Sequence, residues 1–241
     1  MCFCNCLSID ATSLQNRYLA KLVDPETYKP IYSVLAFKFP AWPVVTNTEP
    51  ALLQQFHWGL IPSWARTRED ADRIKAGTIN ARAETAFEKP SFKHCMQSRR
   101  CLVPSTGFFE WRSFKSKKYP YFITLSSADV FSMAGIWDSW TDRQTGEILS
   151  TFSILTVAAN PLMAKIHNVK QRMPVLLPAA QERRWLDESL SKDAVLALCA
   201  PFDENRMNAH TVSRLITSRT ENSNVPEVQK KFKYPELEAL V

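Results

Sequence analysis

Glycine is scarce, with five residues in 241, at positions 59, 77, 107, 135 and 146. They stand too far apart for the G-x-G-x-x-G turn of a dinucleotide site or for the paired glycines of a phosphate-cradling P-loop. A nucleotide cofactor lacks its usual signature, and no cofactor is expected. Long apolar runs are also missing. Spanning a bilayer takes roughly 18 to 20 consecutive apolar residues, and Lys38 with several prolines breaks the best candidate. The chain shows no charged, then apolar, then small-residue signal peptide, so a soluble protein in a reducing compartment, with no membrane partner, is the expectation. The six cysteines lie at 2, 4, 6, 95, 101 and 199 without a paired C-x-x-C spacing. The Cys2-x-Cys4-x-Cys6 run invites a zinc reading, but its partners are missing, and no metal is expected. Internal repeats, low-complexity tracts and an interdomain linker are absent too.

What is present is ordinary for a globular chain: 45% hydrophobic and 22% charged residues, enough to bury one sizeable core. A net charge of +6 suits an anionic partner, most often nucleic acid.

Apolar positions Leu7, Leu14, Tyr18, Leu19, Leu22 and Val23 form a helical stripe over residues 7–23, with Asp10 as N-cap. Prolines then punctuate short strands around residues 32–35 and 44–45. Residues 52–60 read as a strand and the charged residues 65–77 as a loop. Strands follow at 101–103, 107–111, 119–125 and 130–137, with a turn at Asp142 to Gly146 joining the last to a strand at 151–157. A short helix at 158–167, an extended stretch at 173–178, helices at 179–188 and 192–198 and a last strand at 212–216 complete the order. It predicts an α+β fold: a single domain with a mainly antiparallel, barrel-like β core flanked by short helices, rather than alternating βαβ units. The domain spans 1–216, and 217–241 reads as a polar, basic C-terminal tail, mobile or bound to the surface.

Four polar side chains lie within or beside apolar segments, where an unpartnered polar group is costly. Glu110 sits in Gly107-Phe108-Phe109-Glu110-Trp111, on the face opposite Phe109 and Trp111 by strand alternation. That face is either solvent or a closed pocket in which burial would tune the carboxyl toward neutral pH. His167 falls at a helix end, as a cap or as a proton-transfer group. Asn80 is either the N-cap of a following helix or a group that orients a substrate or an amine, and Arg82 suits a phosphate.

Met1-Cys2 carries a further possibility. Removal of Met1 would leave residue 2 with an α-amine and a thiol on adjacent carbons, both with a reactive form available near neutral pH. A 1,2-aminothiol captures aldehydes: the amine condenses to a Schiff base and the thiol closes on the imine carbon, giving a five-membered thiazolidine. The bland alternative is a chance dipeptide.

Met1-Cys2, Trp58-Gly59-Leu60-Ile61-Pro62-Ser63-Trp64, Asn80-Ala81-Arg82-Ala83-Glu84-Thr85, Arg100-Cys101-Leu102-Val103-Pro104 with Gly107-Phe108-Phe109-Glu110-Trp111, and Ile166-His167 with Arg172-Met173-Pro174 together resemble the SRAP family, the SOS-response-associated peptidases. Their joint order and spacing carry the resemblance across nearly the whole chain. It implies recognition of abasic sites in single-stranded DNA, a covalent DNA-protein cross-link through Cys2, and a nucleoid-associated cytoplasmic protein acting as a monomer in the DNA damage response. It implies that Asn80 positions the Cys2 amine, that Glu110 transfers protons and that His167 assists ring opening and the Schiff-base steps. On the DNA side it implies Arg82 at a phosphate, Trp64 as a stacking or wedge residue, Pro40 in a loop near the strand and Thr156 at the pocket. Departures stand beside it: Phe3 and Cys4 replace the family's usual Gly-Arg, Ala36-Phe37-Lys38-Phe39 before Pro40 lacks the Asn that the family often carries, and the spacing from His167 to Arg172 is longer than in some members. Phosphate contacts are then expected from Lys38, Arg66 or Arg68. Two alternatives share these residues, an N-terminal-cysteine autopeptidase and a non-covalent single-strand-binding module.

Overall fold

A strand that is apolar on both faces must be covered on both. In the computed structural model, which describes residues 2–126 and 128–238, two sheets provide that cover. Five strands close into a barrel. Ala41–Thr46 lies between Leu52–Trp58 and Arg100–Ser105; Phe131–Thr141 and Ile148–Ala158 follow, and the last returns to Leu52–Trp58. Only that closing pair is parallel. The short strands Lys21–Leu22, Asn80–Arg82, Arg172–Pro174 and Leu176–Leu177 extend its rim. A second, fully antiparallel sheet has the order Met207–Thr211, Lys117–Leu125, Gly107–Phe114, Cys4–Leu7, Ile31–Leu35. The expected α+β domain with a barrel-like core is the one observed.

Strand alternation distributes the core between the sheets. In Gly107–Phe114, Phe108 joins the main core with Trp42, Trp58 and Phe152, whereas Phe109 turns to a second cluster with Cys4, Cys6, Phe122, Val212 and Val228. The hairpin expected at Asp142 to Gly146 is present. The Asp142 carboxylate accepts from Gln144 N–H at 2.9 Å, and Gly146 takes φ = 77°, a left-handed conformation that glycine adopts without strain.

Several elements differ from expectation for identifiable local reasons. The first helix is shorter than 7–23: it spans Ala11–Tyr18, capped by Asp10, and ends where Leu19 turns left-handed at φ = 51°. Residues flanking it pair as strands instead, Cys4–Leu7 before and Lys21–Leu22 after. The charged stretch 65–77 is not wholly a loop, because Arg68–Gly77 is a helix. Thr67 caps it by accepting from Asp70 N–H at 3.0 Å, and Glu69 and Asp70 in the first turn with Lys75 in the last complement its dipole. Its buried face is thin, with Ala71 buried and Ile74 packed beside it, so no apolar stripe announced it. The strand expected at 212–216 lies earlier, at Met207–Thr211, and Arg214–Thr217 is a 3-10 turn. Asn80 is not a helix N-cap; it opens the strand Asn80–Arg82, and Arg82 caps the helix Ala83–Ala86 without a side-chain bond.

Beyond residue 216 the described chain lies on the second sheet. Asn224 Oδ1 accepts from the N–H groups of Tyr32 (2.7 Å) and Ser33 (3.2 Å). Val228 is fully buried, and Lys231 bridges to Val212. The described part of this segment therefore packs against the sheet through specific contacts.

Gly107 is fixed by close approach: a Cβ there would meet the Phe122 ring at 2.5 Å and the Ile123 carbonyl at 2.9 Å. Gly107→Ala is expected to destabilise the fold by about 1–3 kcal/mol, read as a lower urea midpoint with an unchanged slope. An unchanged midpoint would mean that Phe122 moves aside freely.

Candidate active site

The barrel rim and the second sheet meet around a cavity of about 1010 Å³ whose lining includes Phe3, Lys38, Asn80, Glu110, Trp111 and His167. One wall is the segment Ile216 to Asn224, so the surface-bound tail forms part of the site. Asn80 also lines a smaller pocket of about 520 Å³ on its other side, with Arg73, Arg82, Lys89 and Pro90.

Each polar group is set by its element. Asn80 is registered by the parallel pairing of its strand with Ile154–Thr156. Its Nδ2 donates to the Cys2 carbonyl at 2.7 Å, which leaves Oδ1 as a buried acceptor with no hydrogen bond among the described residues. Cys2 lies just ahead of the strand Cys4–Leu7, fully buried in the main core, beneath the cavity surface rather than on it. Burial, followed by the nearby Glu110 carboxylate, raises the Cys2 thiol pKa far above its usual value, so the sulfur stays protonated.

Glu110 is 1% exposed. Alternation does put it opposite Phe109, but that face looks into the molecule because both sheet faces are covered, and its burial excludes the solvent-facing reading of Glu110. Burial pushes its carboxyl from an ordinary 4.5 up to about 7. His167 follows the helix Pro161–Ile166, which starts at the Asn160 cap. Its Nδ1–H donates to the Arg172 carbonyl at 2.8 Å, so the neutral ring carries its lone pair on Nε2. Glu110 Oε1 lies 3.9 Å from Nδ1, a charge contact longer than a hydrogen bond. Burial lowers the His167 pKa. Desolvation thus drives carboxyl and imidazole toward their neutral forms together.

The structure brings Cys2, Asn80, Glu110 and His167 together. The residues expected at DNA are more scattered. Arg82 is exposed on the smaller pocket. Trp64, 52% exposed, donates from its indole N–H to Pro90 O at 3.3 Å and so stands beside that pocket. Lys38 lines the large cavity, whereas the half-buried Pro40 does not. Arg66 is exposed and outside both cavities. Arg68 is engaged by Glu147 at 2.8 Å, with Asp72 and Asp142 at 3.8 Å. Thr156 requires correction: it is fully buried and cannot meet a strand of DNA. Its carbonyl instead accepts from Arg172 at 2.6 Å, and Arg172 also holds Glu84 through paired bonds of 2.6 and 2.8 Å. Arg172 thereby ties the peptide that orients His167 to the sheet, a positioning role that no sequence pattern disclosed. Cys4 is equally buried, so the family's arginine at that place has no surface substitute in its own position. Also missed were the cavity-lining Phe37, Lys118 and Lys170.

A buried Cys2, an amide holding its carbonyl, and a carboxyl–imidazole pair are gathered at a cavity rimmed by cations in a barrel-cored α+β domain. The chain belongs to the SRAP family, described as SOS response associated peptidase, whose sequence model matches residues 1–219. Among its relatives is YoaM of Bacillus subtilis (strain 168), named an abasic site processing protein. The two are 37% identical over 198 residues, 81% of this chain and 83% of YoaM. HMCES of Xenopus tropicalis, of the same description, is 32% identical over 202 residues, 75% of this chain and 58% of HMCES. An X-ray crystal structure of a protein from Bacteroides thetaiotaomicron superposes with a TM-score of 0.91 at 40% identity, covering 96% of this chain and 100% of that one.

The Glu110 shift has a consequence for stability. A carboxyl raised from 4.5 to about 7 on folding binds its proton more tightly in the native state. It therefore imposes no cost below about pH 4.5, an increasing cost between there and pH 7, and a full cost of roughly 3 kcal/mol above, at about 1.4 kcal/mol per unit. Glu110→Gln is expected to be more stable than the native protein above pH 7, with the advantage vanishing toward pH 4.5. Urea unfolding across that range tests the sign, and a pH-independent difference would contradict it.

Proposed function

We propose that the protein processes abasic sites in single-stranded DNA by forming a thiazolidine cross-link through Cys2 after loss of Met1. The observation that carries the reading is the Asn80 amide, committed through Nδ2 to the Cys2 carbonyl and left with a buried, unfilled Oδ1. Loss of Met1 turns the Cys2 amide nitrogen, which carries a single N–H and no basic lone pair, into a nucleophilic amine with further N–H donors, and Asn80, held on the carbonyl of the same residue, has an acceptor free to orient it. The names of the relatives, abasic site processing proteins, agree with the substrate.

In this reading the abasic sugar opens from hemiacetal to aldehyde, with His167 and Glu110 relaying the proton from hydroxyl to ring oxygen. The Cys2 amine adds to the aldehyde carbon, and the carbinolamine loses one water, its hydroxyl protonated by Glu110 and the nitrogen's proton returned to the Glu110 carboxylate, to give the Schiff base. The thiol sulfur then adds to the imine carbon while its proton passes to nitrogen, closing the ring. The net change is one C–N bond and one C–S bond made and one water released. A carboxyl with a pKa of about 7 suits both directions of proton transfer at neutral pH. Arg82 contacts a phosphate beside the lesion, and Trp64 stacks on a base.

The test is a denaturing gel and intact mass after incubating Met1-free protein with an oligonucleotide carrying one abasic site. A single adduct, smaller by one water than the sum of its parts, is expected, and Cys2→Ala should abolish it. Asn80→Ala, Glu110→Gln and His167→Ala should slow it on the order of 10²-fold while leaving affinity for intact single strands nearly unchanged. Binding that survives Cys2→Ala with no adduct and no preference for the lesion would instead mean a non-covalent module.

A further inference from the structure

Phe37 is a large apolar side chain left 60% exposed on the lining of the cavity that carries Glu110 and His167. Nothing in the core accounts for its position, yet it is held firmly. The 3-10 turn Ala36–Lys38 is closed by Phe39, at φ = 48°, whose N–H donates to Ala36 O. Ala36 N–H in turn donates to Phe3 O at 2.9 Å. His57 Nδ1–H donates to Phe39 O at 3.1 Å, and Lys75 Nζ sits 4.7 Å above the Phe39 ring. The Phe39 ring packs so closely on Gly59 that a Cβ there would meet it at 2.8 Å.

Behind Phe37 stands an aromatic pile. Its ring centroid is 5.7 Å from that of Phe3, and Phe3 lies 4.9 Å from Trp111 with the planes 6° apart. Phe37 meets Phe3 at a tilt of 46°, so the Phe3–Trp111 stack braces it from one side while the rest of its ring stays exposed. Lys38, Lys118 and Lys170 are exposed on the same cavity. An aromatic face flanked by mobile cations is the chemistry that binds a base and its phosphates in single-stranded nucleic acid, whatever the sequence.

We propose that Phe37, braced by Phe3 and Trp111, is the platform on which the base next to the lesion stacks. The inference rests on the single-stranded DNA reading above and extends it to a binding residue on the opposite side of Asn80 from Arg82 and Trp64. Bicyclic purines, with the larger face, are the preferred neighbours.

The experiment uses Met1-free protein and oligonucleotides carrying a tetrahydrofuran lesion, which has no aldehyde and cannot cross-link, with fluorescent 2-aminopurine immediately 5′ or 3′ to it. With the native protein, binding is expected to quench one of the two positions, and a purine there should bind several-fold more tightly than a pyrimidine. Phe37→Ala should lose the quench and weaken binding about tenfold. Phe37→Leu, apolar but without a π face, should behave like the alanine variant, and Phe37→Tyr should retain the quench. Quenching and affinity unchanged in Phe37→Ala overturn the proposal, as does full recovery in Phe37→Leu, which would mean plain apolar contact. The two readings fail separately. Quenching without any adduct on aldehyde-bearing DNA sinks the cross-link alone. An adduct with quenching indifferent to Phe37 sinks the platform alone.

Discussion

The site depends on the burial of residues 2–7. Cys4–Leu7 is wedged between Ile31–Leu35 and Gly107–Phe114, and Cys2, Cys4, Cys6 and Leu7 are all fully buried. A free arm would leave the position of residue 2 to chance and the cost of ordering it to the ligand. Clamped in a sheet, its carbonyl is delivered to Asn80, whose own strand is fixed by a different pairing, to the barrel strand Ile148–Ala158. One hydrogen bond thus joins two independently determined frames, and the carboxyl and imidazole arrive from two more elements.

Desolvation then sets the chemistry. The same covering of both sheet faces that hides Glu110 raises its pKa to about 7 and lowers that of His167. Two groups that would differ in charge in water are drawn toward neutrality together, so a proton can reside on the carboxyl at neutral pH and be given up or recovered without large cost. The Cys2 thiol is held in its protonated form by the same burial. In such a place a thiol reacts most readily when its proton has somewhere to go. The exposed cations remain at the rim, in high dielectric, where their charge is screened from the buried pair.

The segment beyond residue 216 changes the shape of this arrangement. Anchored by Asn224 on the backbone of Tyr32 and Ser33, it forms one wall of the cavity. Phe3 is a structural brace between Trp111 and Phe37. Cys4 contributes only packing. The N-terminal departures from the family pattern therefore alter the cavity wall and leave the clustered polar groups intact.

Alternation and turn chemistry made the strands around 107–125 and the 142–146 hairpin legible, because these signals are local. The helix Arg68–Gly77 was hidden because its capping carried it and little of it is buried, and the helix expected over 7–23 was cut short because sheet pairing outcompeted its apolar stripe. Motif order singled out Cys2, Asn80, Glu110, His167 and Arg82, and the tertiary structure gathers the first four around one cavity. It could not separate a solvent-facing Glu110 from a buried one, since alternation gives the side of a strand and not what covers it. Nor could it see that Thr156 is sealed beneath Arg172 or that Phe37 is exposed, because exposure belongs to the assembled surface. The sequence by itself determined the fold class and the residue types available for chemistry. Only the tertiary structure decided which of them share a low-dielectric cavity, because desolvation and contact arise between segments distant along the chain.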